Sequence, residues 1–260
     1  MKTPVLMYHE ITDRPIEDVP IEERPYAITV ATFDQHLEFL NQQNIACELI
    51  LSGRASGKDS IVITFDDGHA SDILAALPKL QAYDFKAEFF ITTGWIGQPG
   101  YVSSSDIRRL AAAGMSVGTH GVTHKYFDDM SESELILELR DSKTTLEDII
   151  GQSVFGGSAP GGRIHPRTKQ VATELGYRYF CTSQADLADF SPATDFQFIP
   201  RIVVSRDMSL QKYSGISTGS KRIVFLQSAR AKILTYAKRV LGNQYYDKIR
   251  RQLLSIRKDD

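Results

Sequence analysis

Two groups of side chains in this 260-residue chain have the types and spacing that chemistry uses. The first is Ile61-Val62-Ile63-Thr64-Phe65-Asp66-Asp67-Gly68-His69, an apolar run that passes directly into two adjacent carboxylates. Adjacent acids repel each other and lose hydration when buried, so a cation commonly relieves them. The competing reading is a solvent-facing Asp-Asp-Gly turn. The second is Gly118-Thr119-His120-Gly121-Val122-Thr123-His124, two histidines four apart. Neutral imidazoles are ligands for zinc and its neighbours. The spacing suits one face of a helical turn, but Gly121 and the β-branched neighbours favour a loop. Asp66 or Asp67 with His120 and His124 makes three protein ligands and an open fourth position, the arrangement of a catalytic rather than a structural site. The other aspartate is then free to act as base. A third segment, Phe155-Gly156-Gly157-Ser158-Ala159-Pro160-Gly161-Gly162-Arg163, has glycines that permit close backbone approach and N–H groups that can receive an oxyanion. A glycine- and proline-rich loop is also, more plainly, a turn.

Such groups need a frame, and the surrounding pattern supplies one. Short β-rich runs alternate with helical periodicity as far as about residue 205, the signature of parallel strands joined by crossover helices. Seven strands are predicted: Val5 to Tyr8, Ile61 to Phe65, Ala87 to Ile91, Met115 to Gly118, Val154 to Ala159, Tyr179 to Thr182 and Ile199 to Val204. Between them fit helices from Phe33 to Gln43 after Thr32, Asp72 to Tyr83, Asp106 to Ala113, Glu132 to Ile150 and Thr168 to Leu175. Ser131 with Glu134 forms a capping box, and Gly114, Gly151 and Gly176 follow helical runs as stops. Arg14 to Pro25 reads as one long loop. Seven βα units predict an α/β fold, a distorted (β/α)7 barrel of the TIM type, in preference to an open doubly wound sheet with the same local pattern. All three chemical segments then lie at C-terminal ends of strands, where active sites of both architectures are built.

In this order along residues 1–205 the motifs resemble the polysaccharide deacetylases of the NodB-homology type, carbohydrate esterase family 4. The family's TFDDG is intact at Thr64 to Gly68, and the resemblance implies that Asp66 is the general base and Asp67 a metal ligand. Its H-S/T-x-x-H matches His120 and His124 as the remaining ligands, with Gly121 where the family has a hydroxyl. Its R-x-P-x-G falls on Ser158 to Gly162, so the arginine is missing and the backbone N–H of Gly161 takes the oxyanion-binding place; Arg163 or Arg201 is the candidate to replace the lost charge. The opening Val5-Leu6-Met7-Tyr8-His9 also resembles members of the family. The late Leu-x-His that protonates the leaving amine is absent, because His165 is the last histidine, and the aspartate-and-aromatic motif before it has no clear match. His69 and His9 are the substitutes as general acid, each with a structural hydrogen-bonding role as the alternative. The resemblance implies a divalent metal, zinc foremost with Co2+, Ni2+ or Mn2+ as alternatives. It implies hydrolysis of the N-acetyl group of an amino sugar in cell-surface polysaccharide biosynthesis. The other readings are a hydrolase of another non-peptide C–N bond, such as a cyclic amide, and a catalytically impaired carbohydrate-binding protein.

Composition bounds the remainder. With 30 Lys plus Arg against 32 Asp plus Glu and 42% apolar residues, the chain is of the ordinary globular kind, which excludes disorder and argues against nucleic acid as a partner. The balance conceals an asymmetry: 206–260 carries 13 basic and 4 acidic residues, 1–205 carries 17 and 28. The expected organisation is a catalytic domain over 1–205 and a basic helical extension over 206–260. Ser220 opens a basic amphipathic helix, Lys221 to Leu241, and Tyr245 to Ile256 a second. Their apolar stripe packs on the barrel or, in the sharper reading, residues 220–257 contact anionic membrane or an acidic protein. No run approaches the ~20 apolar residues of a spanning helix. The first residues lack a secretory h-region, and Cys47 and Cys181 are far apart, so the expected location is cytoplasmic, at the inner face of the membrane where the tail docks.

Overall fold

The structure, a computed structural model, describes residues 2–52, 59–190, 196–220 and 222–229. Its frame is a ring of parallel strands: β1 (Val5–Tyr8), β2 (Ser60–Phe65), β3 (Ala87–Ile91), β4 (Ser116–Thr119), β5 (Gly156–Ser158) and β6 (Tyr179–Cys181) pair in that order. Two short pieces close it. β7 (Gln197–Ile199) lies parallel to β6, with Ile199 opposite Cys181, and β8 (Ile202–Val203) lies parallel to β1, with Ile202 opposite Leu6. Only Pro200 and Arg201 separate them, so one chain passage bridges both edges of the sheet and acts as a seventh stave. Proline has no N–H to give a ladder, which is why the stave breaks there. The expected (β/α)7 barrel is therefore what the chain forms, with a kink in place of the continuous strand expected from Ile199 to Val204.

Both faces of these strands are covered, so their sequences are near-continuous apolar runs rather than alternating ones. Residues 61–65 of β2 are all buried. On the outer face of the strands, beneath the helices, Phe65 stacks on Phe89 at 4.8 Å and on Tyr8 at 5.4 Å between centroids, whereas Val5, Val62, Phe90, Tyr179 and Cys181 fill the interior. The outer layer comprises α1 (Val30–Gln42), a helical stretch with a π-helical first part (Asp72–Ala76) and an α-helical second part, α2 (Leu77–Ala82), then α3 (Ser104–Ala112), α4 (Glu132–Ile150) and α5 (Thr168–Glu174). Two starts differ from expectation for one reason. The cap of α1 is Thr29, whose hydroxyl accepts from Thr32 N–H, and α3 begins after a Ser103–Asp106 capping box. In both cases the hydroxyl residue three positions upstream satisfies an orphan N–H. Ser131 and Glu134 form their box as expected, and Gly151 ends α4 in the left-handed conformation at φ 66°.

Past residue 205 the chain is still part of this body. α6 (Leu210–Ser217) lies against α1, with the Tyr213 ring stacked on His36 at 3.8 Å, and both side chains are buried. Residues 222–229 are helical, with Val224 buried and Phe225 and Leu226 exposed. The remainder of the expected Lys221 to Leu241 helix and the whole of Tyr245 to Ile256 lie outside the described residues. Among the described residues no helix is long and apolar enough to cross a membrane.

Candidate active site

The apolar strand β2 carries its two carboxylates to the C-terminal mouth of the barrel. Asp66 N–H donates to the Tyr8 carbonyl at 3.1 Å, which keeps it in register with the end of β1. Asp67 and Gly68 then take φ values of 78° and 84°. A left-handed aspartate is uncommon and must be held there by its surroundings. Its consequence is that the neighbours in sequence serve different partners.

Asp66 is bound by a buried arginine. The Arg201 guanidinium donates to Asp66 through Nη1 at 2.6 Å and Nη2 at 2.7 Å, and its remaining donors reach Thr64 Oγ1, Ser158 Oγ and the Thr182 carbonyl. Ser158 in turn donates to Asp66 at 3.0 Å. Arg201 is fully buried, so this forked pair sits in a low-dielectric interior where an unpaired member would be costly. Burial pushes the Asp66 carboxyl up, but the Arg201 charge, with His120 after it, outweighs burial and leaves it below the usual carboxylate range. Of the two arginines named as replacements, Arg201 fills the role. Arg163 is committed elsewhere, to Asp128 at 2.7 Å and Asp129 at 3.2 Å, with its guanidinium over the Tyr126 ring.

Asp67 faces histidines. Its Oδ1 lies 3.2 Å from His120 Nε2 and 3.1 Å from His124 Nε2, and its Oδ2 lies 3.5 Å from His69 Nε2. Despite this proximity Oδ1 is buried and accepts no hydrogen bond of good geometry. His120 is oriented through its other nitrogen: Nδ1 lies 2.9 Å from the Ser158 carbonyl, which can only accept, so Nδ1 carries a proton and Nε2 is left facing Asp67. One carboxylate oxygen and two imidazole nitrogens within 4.8 Å of one another are a fitting set for a divalent cation. Burial opposes ionisation of Asp67, and the three histidines overcome it, holding the carboxyl well below its ordinary range.

The loop that carries both histidines is fixed by a residue the sequence reading did not single out. Glu138, buried in the middle of α4, accepts from Val122 N–H, Thr123 N–H and the Thr123 hydroxyl through one oxygen. A Cβ at position 121, where φ is +81°, would come within 2.6 Å of that oxygen. Gly121 thus stands in place of a hydroxyl residue because the carboxylate of Glu138 already occupies the space and makes the contacts. Gly161 has a parallel constraint. It turns at φ +62°, and a Cβ there would come within 2.7 Å of the Tyr126 ring, while the amides of Gly162 and Arg163 are used inside the turn, donating to the carbonyls of Ala159 and Pro160.

The two candidate acids occupy different settings. His69 is buried, stacked on Tyr101 at 5.4 Å, and directed at Asp67. Burial lowers its pKa, but the hydrogen bond and charge of Asp67 dominate and bring it to about 9. A cation on Asp67 would oppose that elevation. His9, at the end of β1, is partly exposed and stacked on Tyr26 at 4.8 Å; burial lowers its pKa, against the opposing charges of Asp67 and Asp66. Its Nδ1 has no hydrogen-bond partner.

The chain is similar to known proteins. Residues 53–180 match the family model described as Polysaccharide deacetylase. YxkH of Bacillus subtilis, named for the same family, is 26% identical over 215 residues, 80% of this chain and 73% of that protein. A peptidoglycan-N-acetylglucosamine deacetylase of Bacillus cereus is 31% identical over 45% of this chain and 44% of its own length. A poly-beta-1,6-N-acetyl-D-glucosamine N-deacetylase of Escherichia coli is 21% identical over 76% of this chain and 37% of its own. Among solved structures, the Streptococcus pyogenes deacetylase PplD in complex with acetate superposes with a TM-score of 0.71 at 25% identity, covering 80% of this chain and 95% of PplD. BC0361 of Bacillus cereus, at 20% identity and a TM-score of 0.73, shares the fold over 84% of this chain and 69% of its own.

Proposed function

The chain belongs to the polysaccharide deacetylase family, and we propose that it is a metal-dependent de-N-acetylase acting on N-acetylglucosamine residues of a glycan intermediate in cell-surface polysaccharide biosynthesis. The observation that carries this reading is the convergence of one ligand atom each from Asp67, His120 and His124 within 4.8 Å beside an aspartate fixed by a buried arginine. Two nitrogens and one carboxylate oxygen favour zinc among divalent ions, with Co2+, Ni2+ or Mn2+ as substitutes. When bound, the ion supplies Lewis acidity toward the acetyl carbonyl and the attacking water.

The chain's own residues do the rest. Asp66 accepts the proton of the water whose oxygen bonds to the acetyl carbon. Arg201 and Ser158 hold the Asp66 carboxylate ionised and oriented, so it is ready as a base at neutral pH. The Gly161 N–H donates to the developing oxyanion, a contribution of about 3–4 kcal/mol for such a donor. As the C–N bond breaks, the amine takes a proton from His9, and acetate leaves. His9 is assigned the acid role because it is partly exposed at the end of β1 and, unlike His69, makes no ion pair with Asp67. His69 is committed to Asp67 and braces a ligand. The reading as an impaired carbohydrate binder rests on the missing arginine and the missing late histidine; Arg201 at Asp66 answers the first, and the acid role assigned to His9 answers the second. The substrate class follows the relatives named for peptidoglycan N-acetylglucosamine and poly-beta-1,6-N-acetyl-D-glucosamine. The reaction is assigned to the cytoplasm, at the inner membrane face, on two buried free thiols, Cys47 and Cys181, and the basic sequence of 206–260. Cell fractionation that recovers the protein only outside the cytoplasmic membrane overturns this location.

The activity is tested by metal analysis of the purified protein followed by assay of acetate release from β-1,4- and β-1,6-linked N-acetylglucosamine pentamers. The expected result is stoichiometric metal and metal-dependent release, lost in Asp66→Asn. Full activity of Asp66→Asn removes the base assignment, and no release from either pentamer removes the substrate class.

A further inference from the structure

Beside the metal-ligand group a cavity of about 480 Å³ opens, within the size range of small-molecule sites and large enough for a sugar residue. It shares two side chains with the site. His69 faces Asp67, and Tyr101 packs against Trp95 with ring centroids 4.8 Å apart and tilted by 43°, while Trp95 packs in turn on His124 at the same distance and 34°. A glycan whose acetamide reaches the metal group therefore extends along aromatic faces into this space. Three carboxylates, Glu10, Asp13 and Glu23, and one arginine, Arg14, line the rest of its charged wall.

The arginine does not balance the acids. Arg14 is held by Oε1 of Glu10 at 2.6 Å. Glu10 is 93% buried, and its second oxygen, Oε2, is enclosed without a hydrogen-bond partner. Such an oxygen bears the full cost of desolvation unless something in the cavity answers it. Asp13 caps the start of α1 by accepting from Val30 N–H at 3.1 Å. Glu23 is half-buried, and burial, followed by the charges of Asp67 and Glu10 against that of His69, pushes its carboxyl up, as expected where acids gather without enough cation.

We propose that this cavity is a subsite for a sugar residue bearing a free ammonium group, adjacent to the residue being deacetylated and recognised by Glu10 and Glu23. The proposal rests on the de-N-acetylase reading. Each turnover converts a neutral acetamide to an amine that is protonated at neutral pH. After the polymer advances by one residue, the product of one cycle becomes the cationic neighbour in the next. Amines then accumulate in runs rather than at random.

The test uses β-1,4- and β-1,6-linked N-acetylglucosamine pentamers, fully acetylated or carrying one glucosamine on either side of a central target, with mass spectrometry locating the released acetyl group. The expected result is about a five- to tenfold higher kcat/KM at the target when the glucosamine lies on one particular side, the size of a partly exposed ion pair with two acids. In Glu10→Gln and Glu23→Gln the ratio between mono-deacetylated and fully acetylated pentamer falls toward one. Glu23→Gln, at a half-buried position, gives a folded protein if the more buried Glu10→Gln does not. A ratio of one in the wild type, or an undiminished ratio in Glu23→Gln, overturns the subsite while leaving the activity standing. Failure of every pentamer to release acetate overturns the activity and the subsite together.

Discussion

Removing the Arg201 side chain tests the centre of the site most directly. In Arg201→Met the forked pair at 2.6 and 2.7 Å is lost, and Asp66, 3% exposed, keeps only the Ser158 hydroxyl as a donor. Breaking a buried pair by deleting one partner costs about 3–5 kcal/mol, because an uncompensated charge stays behind. At roughly 2–4 °C per kcal/mol for a chain of this size, Tm falls by about 6 °C or more. The loss depends on pH with a definite sign. In the wild type the folded pKa of Asp66 lies below its unfolded value of about 3.9, so its contribution is fully present above pH ~4 and disappears only as pH falls through the lower folded value. Without Arg201, burial is left with weaker opposition, and the folded pKa moves up. The carboxylate then destabilises the fold above that pKa, and protonation relieves it as pH falls. Urea unfolding of the metal-free proteins at pH 8 and pH 5 therefore gives a gap between variant and wild type that narrows at pH 5. The double variant Asp66→Asn/Arg201→Met recovers at least half of the loss, since both buried charges are gone. Activity supplies an independent readout: in Arg201→Lys the acid limb of kcat/KM moves to higher pH. A gap below about 1 kcal/mol at pH 8, or one that does not narrow, refutes the assignment of Arg201 as the partner that keeps Asp66 ionised.

Other perturbations follow from the same geometry. Dialysis against a chelator abolishes acetate release, and zinc at a hundredfold excess over its Kd restores about 2.7 kcal/mol of stability; a Tm indifferent to zinc refutes the ligand set of Asp67, His120 and His124. Glu138→Ala strips three donors of their acceptor, costs about 1–3 kcal/mol, and weakens zinc binding roughly 10–100-fold in calorimetric titration because His124 loses its support. Unchanged zinc affinity in that protein shows that the loop holds itself. His9→Ala lowers kcat by about 10²–10⁴ with zinc affinity retained, whereas His69→Ala weakens zinc affinity first. The reverse pattern exchanges their roles.

The staves and their chemical ends were legible because both follow from local composition. An apolar run of residues 61–65 covered on both faces reads as a buried strand whatever surrounds it, and the acids after it can only be at its mouth. The helix starts at Thr29 and Ser103 were missed by up to three residues, since several hydroxyl residues stand close together and only the folded backbone selects the cap. Glu138 was hidden more deeply. In α4 it is one acid among several, and nothing in a helical pattern tells a glutamate that faces solvent from one that gathers the amides of a loop 15 residues away. A signal did exist: a glycine in place of the expected hydroxyl at 121 implies that another group fills the space.

The arginine shows why such a substitution can cross the chain. In an open sheet a lost side chain on β5 could be replaced only from a neighbouring strand or loop. A closed ring offers every stave at the same height equal access to the interior, and the Asp66 carboxylate has no preference for which stave supplies a guanidinium. Here the donor comes from the kink between β7 and β8, where Pro200 interrupts the ladder and the next residue, Arg201, lies between the two edges that the stave joins. The vacated position on β5 became Ser158, small enough to leave room for the guanidinium and able to bond both it and Asp66. The charge balance of the site survives because the barrel closes, and if the kink is straightened by Pro200→Ala, the ladder can extend and draw Arg201 away. That protein should retain its fold and its zinc affinity while the acid limb of kcat/KM moves upward as in Arg201→Lys. An unchanged pH profile would mean that Arg201 reaches Asp66 without the break.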